Sequence, residues 1–271
     1  YVLTVSGTTI TAGTGFQPDV SGTQTDVCAL SSTQALAVWE KSNQGKCAVL
    51  NISGTTITGG TAVVYESGDM GSLSNKVSKL SSTKAIVGYV DSGNSSYYTA
   101  CVIDVSGSTA TPGTPQVIDS GSSASTNYTS MAAISSTKAI CSYLMSSNPY
   151  MRILTISGTT ITIGAAVDYL PAADSGPRSI AVLSESEAFL AYQSGVDGTG
   201  RYQLIDISTT TPVLGTEKIF LAGNTAVLIE ASSLYGSTSD AIVVFKHNQT
   251  GHGNSIILSK LSAPLYVSSQ Y

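Results

Sequence analysis

The sequence predicts an all-β fold, a β-propeller of about five four-stranded antiparallel blades, and three observations carry that expectation. One phrase returns as Leu30-Ser-Ser-Thr-Gln-Ala35, Leu80-Ser-Ser-Thr-Lys-Ala85, Ile134-Ser-Ser-Thr-Lys-Ala139 and Leu183-Ser-Glu-Ser-Glu-Ala188, with a degenerate copy ending at Asp240-Ala241. A second phrase interleaves with it, as Val5-Ser-Gly-Thr-Thr-Ile-Thr11, Ile52-Ser-Gly-Thr-Thr-Ile-Thr58, Val105-Ser-Gly-Ser-Thr-Ala-Thr111 and Ile156-Ser-Gly-Thr-Thr-Ile-Thr162, with looser copies near Ser208 and Ser262. A period of about 50 residues built from strand-like segments marks a propeller or solenoid. The stretch after each repeat alanine is also apolar at both parities, as in Ala85-Ile-Val-Gly-Tyr89, Ala188-Phe-Leu-Ala-Tyr192 and Ala241-Ile-Val-Val-Phe245. Such a strand needs cover on both faces, which blades stacked around a ring provide.

The elements of one repeat follow in order. Asp26 to Leu30 reads as a first strand, Ser31-Ser-Thr33 as a tight turn and Gln34 to Glu40 as a second strand. Cys47 to Ile52 is a third strand, Ser53-Gly-Thr55 a second tight turn, and Thr56 to Tyr65 a fourth strand. Serine, threonine and glycine suit these strands and turns, and helix signals are nearly absent. The repeats fall near 26–75, 76–129, 130–178, 179–226 and 227–271, one domain from end to end. Residues 1–25 carry an extra copy of the second phrase without its own first two strands. They are expected to add outer strands to the last blade, joining the chain ends and removing an exposed edge. Six blades, completed by other sequence or another subunit, is the alternative.

Composition narrows the function. The net charge is −5 and the twelve Lys and Arg are scattered singly. No basic stripe exists to neutralise a phosphate backbone, so nucleic acid is not an expected partner. No apolar run approaches the roughly 20 residues of a membrane span, so no insertion is expected. The chain opens on Tyr1 without a charged-then-apolar leader, as a processed form or a piece of a longer polypeptide would. Cys28, Cys47, Cys101 and Cys141 fall in strands without a CxxC spacing and read as buried free thiols. His247 and His252 share one loop but lack a third ligand, so neither metal nor cofactor is expected.

Chain direction places a candidate site. The one-to-two and three-to-four turns lie on one face of the disc and are nearly identical in every repeat. The two-to-three and four-to-one connections lie on the other face and differ in every repeat, which is where a rigid scaffold presents binding residues. Tyr97, Tyr98, Tyr150 and Tyr202 are the candidate stacking rings there, with Asn43, Asn94, Asn148, Asp197 and Asn248 as directional hydrogen-bonding groups. That mixture suits the hydroxyls and ring faces of sugars, against the plainer alternative of solvated turns. The recurrent aromatic Trp39, Tyr89, Tyr143, Tyr192 and Phe245 reads as core packing. Glu66-Ser-Gly, Asp119-Ser-Gly and Asp174-Ser-Gly read as turn chemistry. The inner-strand starts, Asp26, Lys76, Ser130, Ser179 and Ser232, offer one acid among five where a glycosidase needs a carboxylate pair, which leaves a glycoside hydrolase as a minor alternative. No catalytic residue is assigned.

The blade phrases, Ser-Gly-Thr-Thr-Ile-Thr above all, resemble those of lectin-like propellers and of repeat modules in bacteriophage fibres and bacterial surface proteins. The resemblance spans the whole chain. It implies an extracellular or virion-borne, non-enzymatic module that attaches to a glycan or a cell-surface receptor. The alternative is a structural or assembly protein that contacts itself or neighbouring virion or surface proteins.

Overall fold

The computed structural model describes residues 1–19, 22–71, 75–125, 128–146, 148–169, 176, 178–222, 226–234, 236–247, 252–260 and 265–267. An N-terminal pair, β1 (Leu3–Ser6) and β2 (Thr9–Ala12), precedes five antiparallel blades. The first blade runs β3 (Thr23–Ala29), β4 (Gln34–Lys41), β5 (Gln44–Ser53), then a fourth strand split into β6 (Thr56–Gly59) and β7 (Val63–Glu66). Both halves pair with β5, so the blade is four strands wide with a bent edge. The second blade comprises β8 (Lys76–Ser81), β9 (Lys84–Asp91), β10 (Tyr97–Ser106), β11 (Thr109–Pro112) and β12 (Gln116–Asp119). The third comprises β13 (Ser130–Ser135), β14 (Lys138–Met145), β15 (Asn148–Ser157), β16 (Thr160–Ile163) and β17 (Val167–Asp168). The fourth is β18 (Arg178–Val182), β19 (Glu187–Gln193), β20 (Gly200–Asp206), β21 (Val213–Leu214) and β22 (Lys218–Leu221). The fifth is β23 (Ala226–Ser233), β24 (Asp240–His247), β25 (Gly253–Ser259) and β26 (Leu265–Val267). The five blades form the ring of a β-propeller, and among the described residues no helix is long and apolar enough to cross a membrane.

The repeated phrases have local causes. In each one-to-two turn the first serine hydroxyl accepts the backbone N–H two residues on, at 3.2 Å for Ser31–Thr33 and Ser81–Thr83 and 3.3 Å for Ser135–Thr137. The turn's last carbonyl then accepts from the third strand, as Thr33 O does from Ile52 N and Thr83 O from Val105 N, both at 2.8 Å. The three-to-four turns are two-residue hairpins, with Gly54 and Gly107 at φ 57° and Gly158 at φ 61°. A glycine at that first central position gives the primed turn whose twist matches the strands.

Three series of links join each blade to the next. The apolar second strands build cores between blades one and two (Leu36, Val38, Val49 with Val87, Cys101, Ile103) and two and three (Ile86, Tyr98, Val102 with Cys141, Leu154, Ile156). Matching cores join three to four and four to five. On the face of constant turns, Gln34 donates to Gly107 O at 3.0 Å, Lys84 to Gly158 O at 2.6 Å and Lys138 to Ser208 O at 3.1 Å; Glu187 pairs with Lys260 at 2.7 Å. Around the central channel, Asp26 accepts Val77 N at 2.8 Å, Ser78 accepts Ala133 N at 2.9 Å, Ser130 accepts Ile180 N at 3.1 Å, and Ser179 donates to Glu230 at 3.2 Å.

One expectation is corrected. The N-terminal strands do not enter the last blade: β1 and β2 form a sheet of their own, and β26 pairs with β25 through Ser255–Val267, Ile256–Tyr266 and Ile257–Leu265. The fourth position of that blade is therefore filled from the C-terminal side. Phe16 instead packs against the core cluster of the first blade that holds Ala35, Trp39 and Leu50.

Candidate functional site

The recurrent aromatic is buried in every blade, as its regularity suggested. Its tyrosine members also place a hydroxyl under the variable face, and each hydroxyl finds an acid. Tyr89 donates to Glu66 Oε2 and Tyr143 to Asp119 Oδ2, both at 2.8 Å, while Tyr192 donates to Glu217. Glu66 and Asp119 are the acids of the repeated acid-Ser-Gly phrase. Their other oxygen caps the turn, accepting Gly68 N at 2.7 Å and Gly121 N at 3.0 Å. Asp174, the third copy, lies outside the described residues.

Between blades two and three this network opens into a cleft of about 320 Å³, lined by Asp119, Ser122, Asn148, Tyr150 and Arg152 among others. Arg152 Nε donates to the Tyr143 hydroxyl at 2.7 Å, Nη1 to Gly164 O at 3.0 Å and Nη2 to Asp119 Oδ2 at 2.8 Å. Burial raises the Tyr143 hydroxyl far above its ordinary pKa, so it stays a donor. Burial also opposes charge on Asp119, but hydrogen bonds from Arg152, Gly121 and Tyr143 outweigh it and hold the carboxyl below its usual range. Tyr98 stacks on Tyr143 at 4.7 Å and 17°, and Tyr150 lies 6.3 Å beyond Tyr143 at 30°. Tyr150 is thus a tilted neighbour of a fixed stacked pair, and it is only half-buried.

The lowered Asp119 pKa has a pH consequence. Its stabilising contribution is complete above the unfolded-state value, about 3.9, and is lost as pH falls through the lower folded-state value. The melting-temperature gap between the wild-type chain and Asp119→Asn should therefore persist at neutral pH and close below about pH 4, a comparison calorimetry can make.

The other candidates distribute as follows. Tyr150 and Asn148 line the cleft. Asn94 is exposed and Tyr97 half-buried beside the neighbouring loop, which is tied to the same wall by Ser123 Oγ to Ser95 O at 3.2 Å and Ala124 N to Ser96 O at 2.8 Å. Asn43 is exposed on the first blade at φ 66°, a turn residue away from the cleft. Asp197 is engaged by Thr199 and by Arg201 at 2.6 Å, and those hydrogen bonds hold its carboxyl well below the usual range. Asn248 lies outside the described residues. Two expectations are corrected: Tyr98 and Tyr202 are buried, Tyr98 in its stack and Tyr202 edge-on to Phe189 at 5.8 Å against a separate hollow, so neither is an exposed ring of the cleft. Both sit where third-strand pleating turns the side chain toward a neighbouring blade.

Sequence reasoning missed Asp119 and Arg152 as cleft residues, although the acid-Ser-Gly recurrence set against the repeat tyrosine was the available signal. It also missed Glu230, which joins Lys76 at 2.8 Å in the central channel after a register shift in β23. Asp26 is the other channel acid among the described residues. Burial raises its pKa, and its oxygens are taken by Val27 N and Val77 N, so it acts as a strap between strands. All four cysteines are free, and burial pushes their thiols up to about 12.

Fold and site together define a β-propeller with a polar-aromatic cleft on its loop face. Among solved structures the chain is similar to AofleA from Arthrobotrys oligospora (TM-score 0.61, 11% identity, covering 90% of this chain and 74% of that one). It is also similar to a protein from Lactobacillus plantarum (TM-score 0.59, 14% identity, covering 88% and 68%). A third is a prolyl endopeptidase (TM-score 0.52, 8% identity), where the match covers 92% of this chain but spans only 35% of the other. At these identities the likeness is one of fold. No protein-family model matches the chain, and no curated protein matches it in sequence.

Proposed function

We infer that the protein is a non-enzymatic recognition module that binds a glycan on a cell or particle surface, in an extracellular or virion-borne setting. The observation that carries this reading is the cleft between blades two and three. There the Tyr150 ring lies in tilted contact with the buried Tyr143, beside the Asn148 amide and the anchored Arg152–Asp119 pair. A sugar needs an apolar ring face and convergent donors and acceptors around it, and both are within this cleft. A larger hollow of about 410 Å³, lined by Glu187, Leu204, Asp206, Val213 and Leu214, opens beside the constant turns and has no aromatic lining. Its chemistry is less suited to a saccharide. Against catalysis stands the use of the acids: Asp119, Glu66 and Asp26 are each tied by backbone N–H groups or neighbours.

The test is a glycan array followed by titration calorimetry. Tyr150→Ala should weaken binding of the best saccharide at least tenfold, which is about 1.4 kcal/mol, with the melting temperature nearly unchanged. Absence of binding across the array, or binding indifferent to Tyr150→Ala and Asn148→Ala together, would remove this reading.

A further inference from the structure

The links between blades form a series that lacks one member. Cores, constant-face clasps and channel straps each join one to two, two to three, three to four and four to five. Among the described residues, none of the three joins blade five to blade one. The consequence is visible on β24. Ala241, Val243 and Phe245 are buried against blade four, while Ile242 is half-buried and Val244 is 48% exposed on the opposite face. In the four other blades the second strand is buried on both faces. Leu228, on β23 of the same blade, is 70% exposed.

The N-terminal pair stands at this seam in a defined register. In blades one to three the glycine that follows the outer strand lies against the three-to-four turn of the next blade. A methyl built on Gly60 would lie 2.1 Å from Ser108 O, on Gly113 2.6 Å from Thr159 Cβ, and on Gly164 2.3 Å from Thr210 O. Gly13 repeats the relation, at 2.5 Å from Thr55 O of blade one. Strands β1 and β2 therefore occupy the outer half of a blade place preceding blade one. Leu3, Val5 and Ile10 are 59%, 66% and 66% exposed, whereas their counterparts Ile103, Val105 and Ala110, and Leu154, Ile156 and Ile161, are buried. Within every blade the third strand pairs inward with a second strand, as Leu50 does with Ala35; among the described residues β1 pairs only with β2.

We propose that the seam between the fifth and first blades is a docking site for an antiparallel strand pair of the repeat's own inner type, added to the free edge of β1. The occupant is a two-strand hairpin joined by a Ser-Ser-Thr turn, carried on a partner segment bearing this repeat. Its second strand pairs with β1, and one of its apolar faces covers Ile242 and Val244. Backbone hydrogen bonds supply the affinity of such strand addition, and the alternating side chains supply its selectivity. The occupant's chemistry follows from the register of β1 and β2: the outer half of the place is present, and the inner half is what the series lacks.

The test adds a synthetic peptide with the sequence of residues 76–91, the inner hairpin of blade two, to the purified chain. Saturable one-to-one binding is expected, with slowed amide exchange across Leu3–Ser6 and a melting temperature raised by roughly 5 °C at about a hundredfold excess over the dissociation constant. The double variant Val5→Asp, Val244→Asp alters exposed side chains, so it should fold normally and bind at least tenfold more weakly. A scrambled peptide binding equally well, or binding with neither protection of β1 nor sensitivity to the double variant, would overturn the proposal. So would no binding to the folded chain. A dimer of the chain in sedimentation that excludes the peptide would assign the seam to a second copy and overturn it equally.

Discussion

Replacing Tyr143 with alanine is expected to lower the unfolding free energy by about 3–5 kcal/mol, the range for deleting a buried aromatic side chain. The ring stacks on Tyr98 across the interface of blades two and three, and the hydroxyl is shared by Asp119 and Arg152. Removing it opens a cavity and leaves part of the Arg152–Asp119 network without a partner. Tyr143→Phe separates the two contributions. It keeps the stack and removes only the hydroxyl, so it should cost about 1–2 kcal/mol. Chemical denaturation of the two variants side by side measures the split. If Tyr143→Phe were as damaging as Tyr143→Ala, the hydrogen-bond network rather than the packing would be the main contribution of this residue.

The second large effect is expected at Gly164. Its α-carbon faces the next blade so closely that a methyl would lie 2.3 Å from Thr210 O and 2.8 Å from Ile153 O. Both are backbone atoms, Thr210 O of the next blade and Ile153 O of Gly164's own blade, so relief requires backbone to move rather than a side chain to turn. Gly164→Ala should destabilise by about 1–3 kcal/mol, as overpacking of a tight interface does. Gly253 is the control, because a methyl there meets nothing within 4 Å. Gly253→Ala should stay within about 0.5 kcal/mol of the wild type. Equal stabilities for the two variants would show that the blades yield more easily than their close approach implies.

The blades were legible in the sequence because their causes are local. A serine that caps its own turn, a glycine that sets a primed hairpin and a strand apolar at both parities each leave a mark within a few residues. The face that carries the cleft was legible as well, since chain direction alone sorts constant turns from variable connections. Which side chains reach the solvent was less legible. Tyr98 and Tyr150 look alike in their loops, yet Tyr98 turns into the interface with blade three while Tyr150 turns outward. That choice depends on strand register against a neighbouring blade, which is a contact distant in sequence. The Asp119–Tyr143–Arg152 network shows the same limit, since its members come from two blades and meet only when the ring is built. The placing of the N-terminal strands depended likewise on packing against blade one, through Gly13 and Phe16, rather than on their phrase.

Among the described residues, the four-membered series of links gives the ring the energetics of a line. Apart from the Lys76–Glu230 pair across the channel, each blade leans on its sequence neighbours, so stability is close to a sum of blade terms and nearest-neighbour terms, as in an open repeat array. An open array has two ends, and here they differ. Blade one is capped by Phe16, whereas blade five shows Val244 to water. Thermal fraying is thus directional, starting at the C-terminal blade and running backward through the fourth, while the cleft between blades two and three sits in the interior of the array, where opening is costliest.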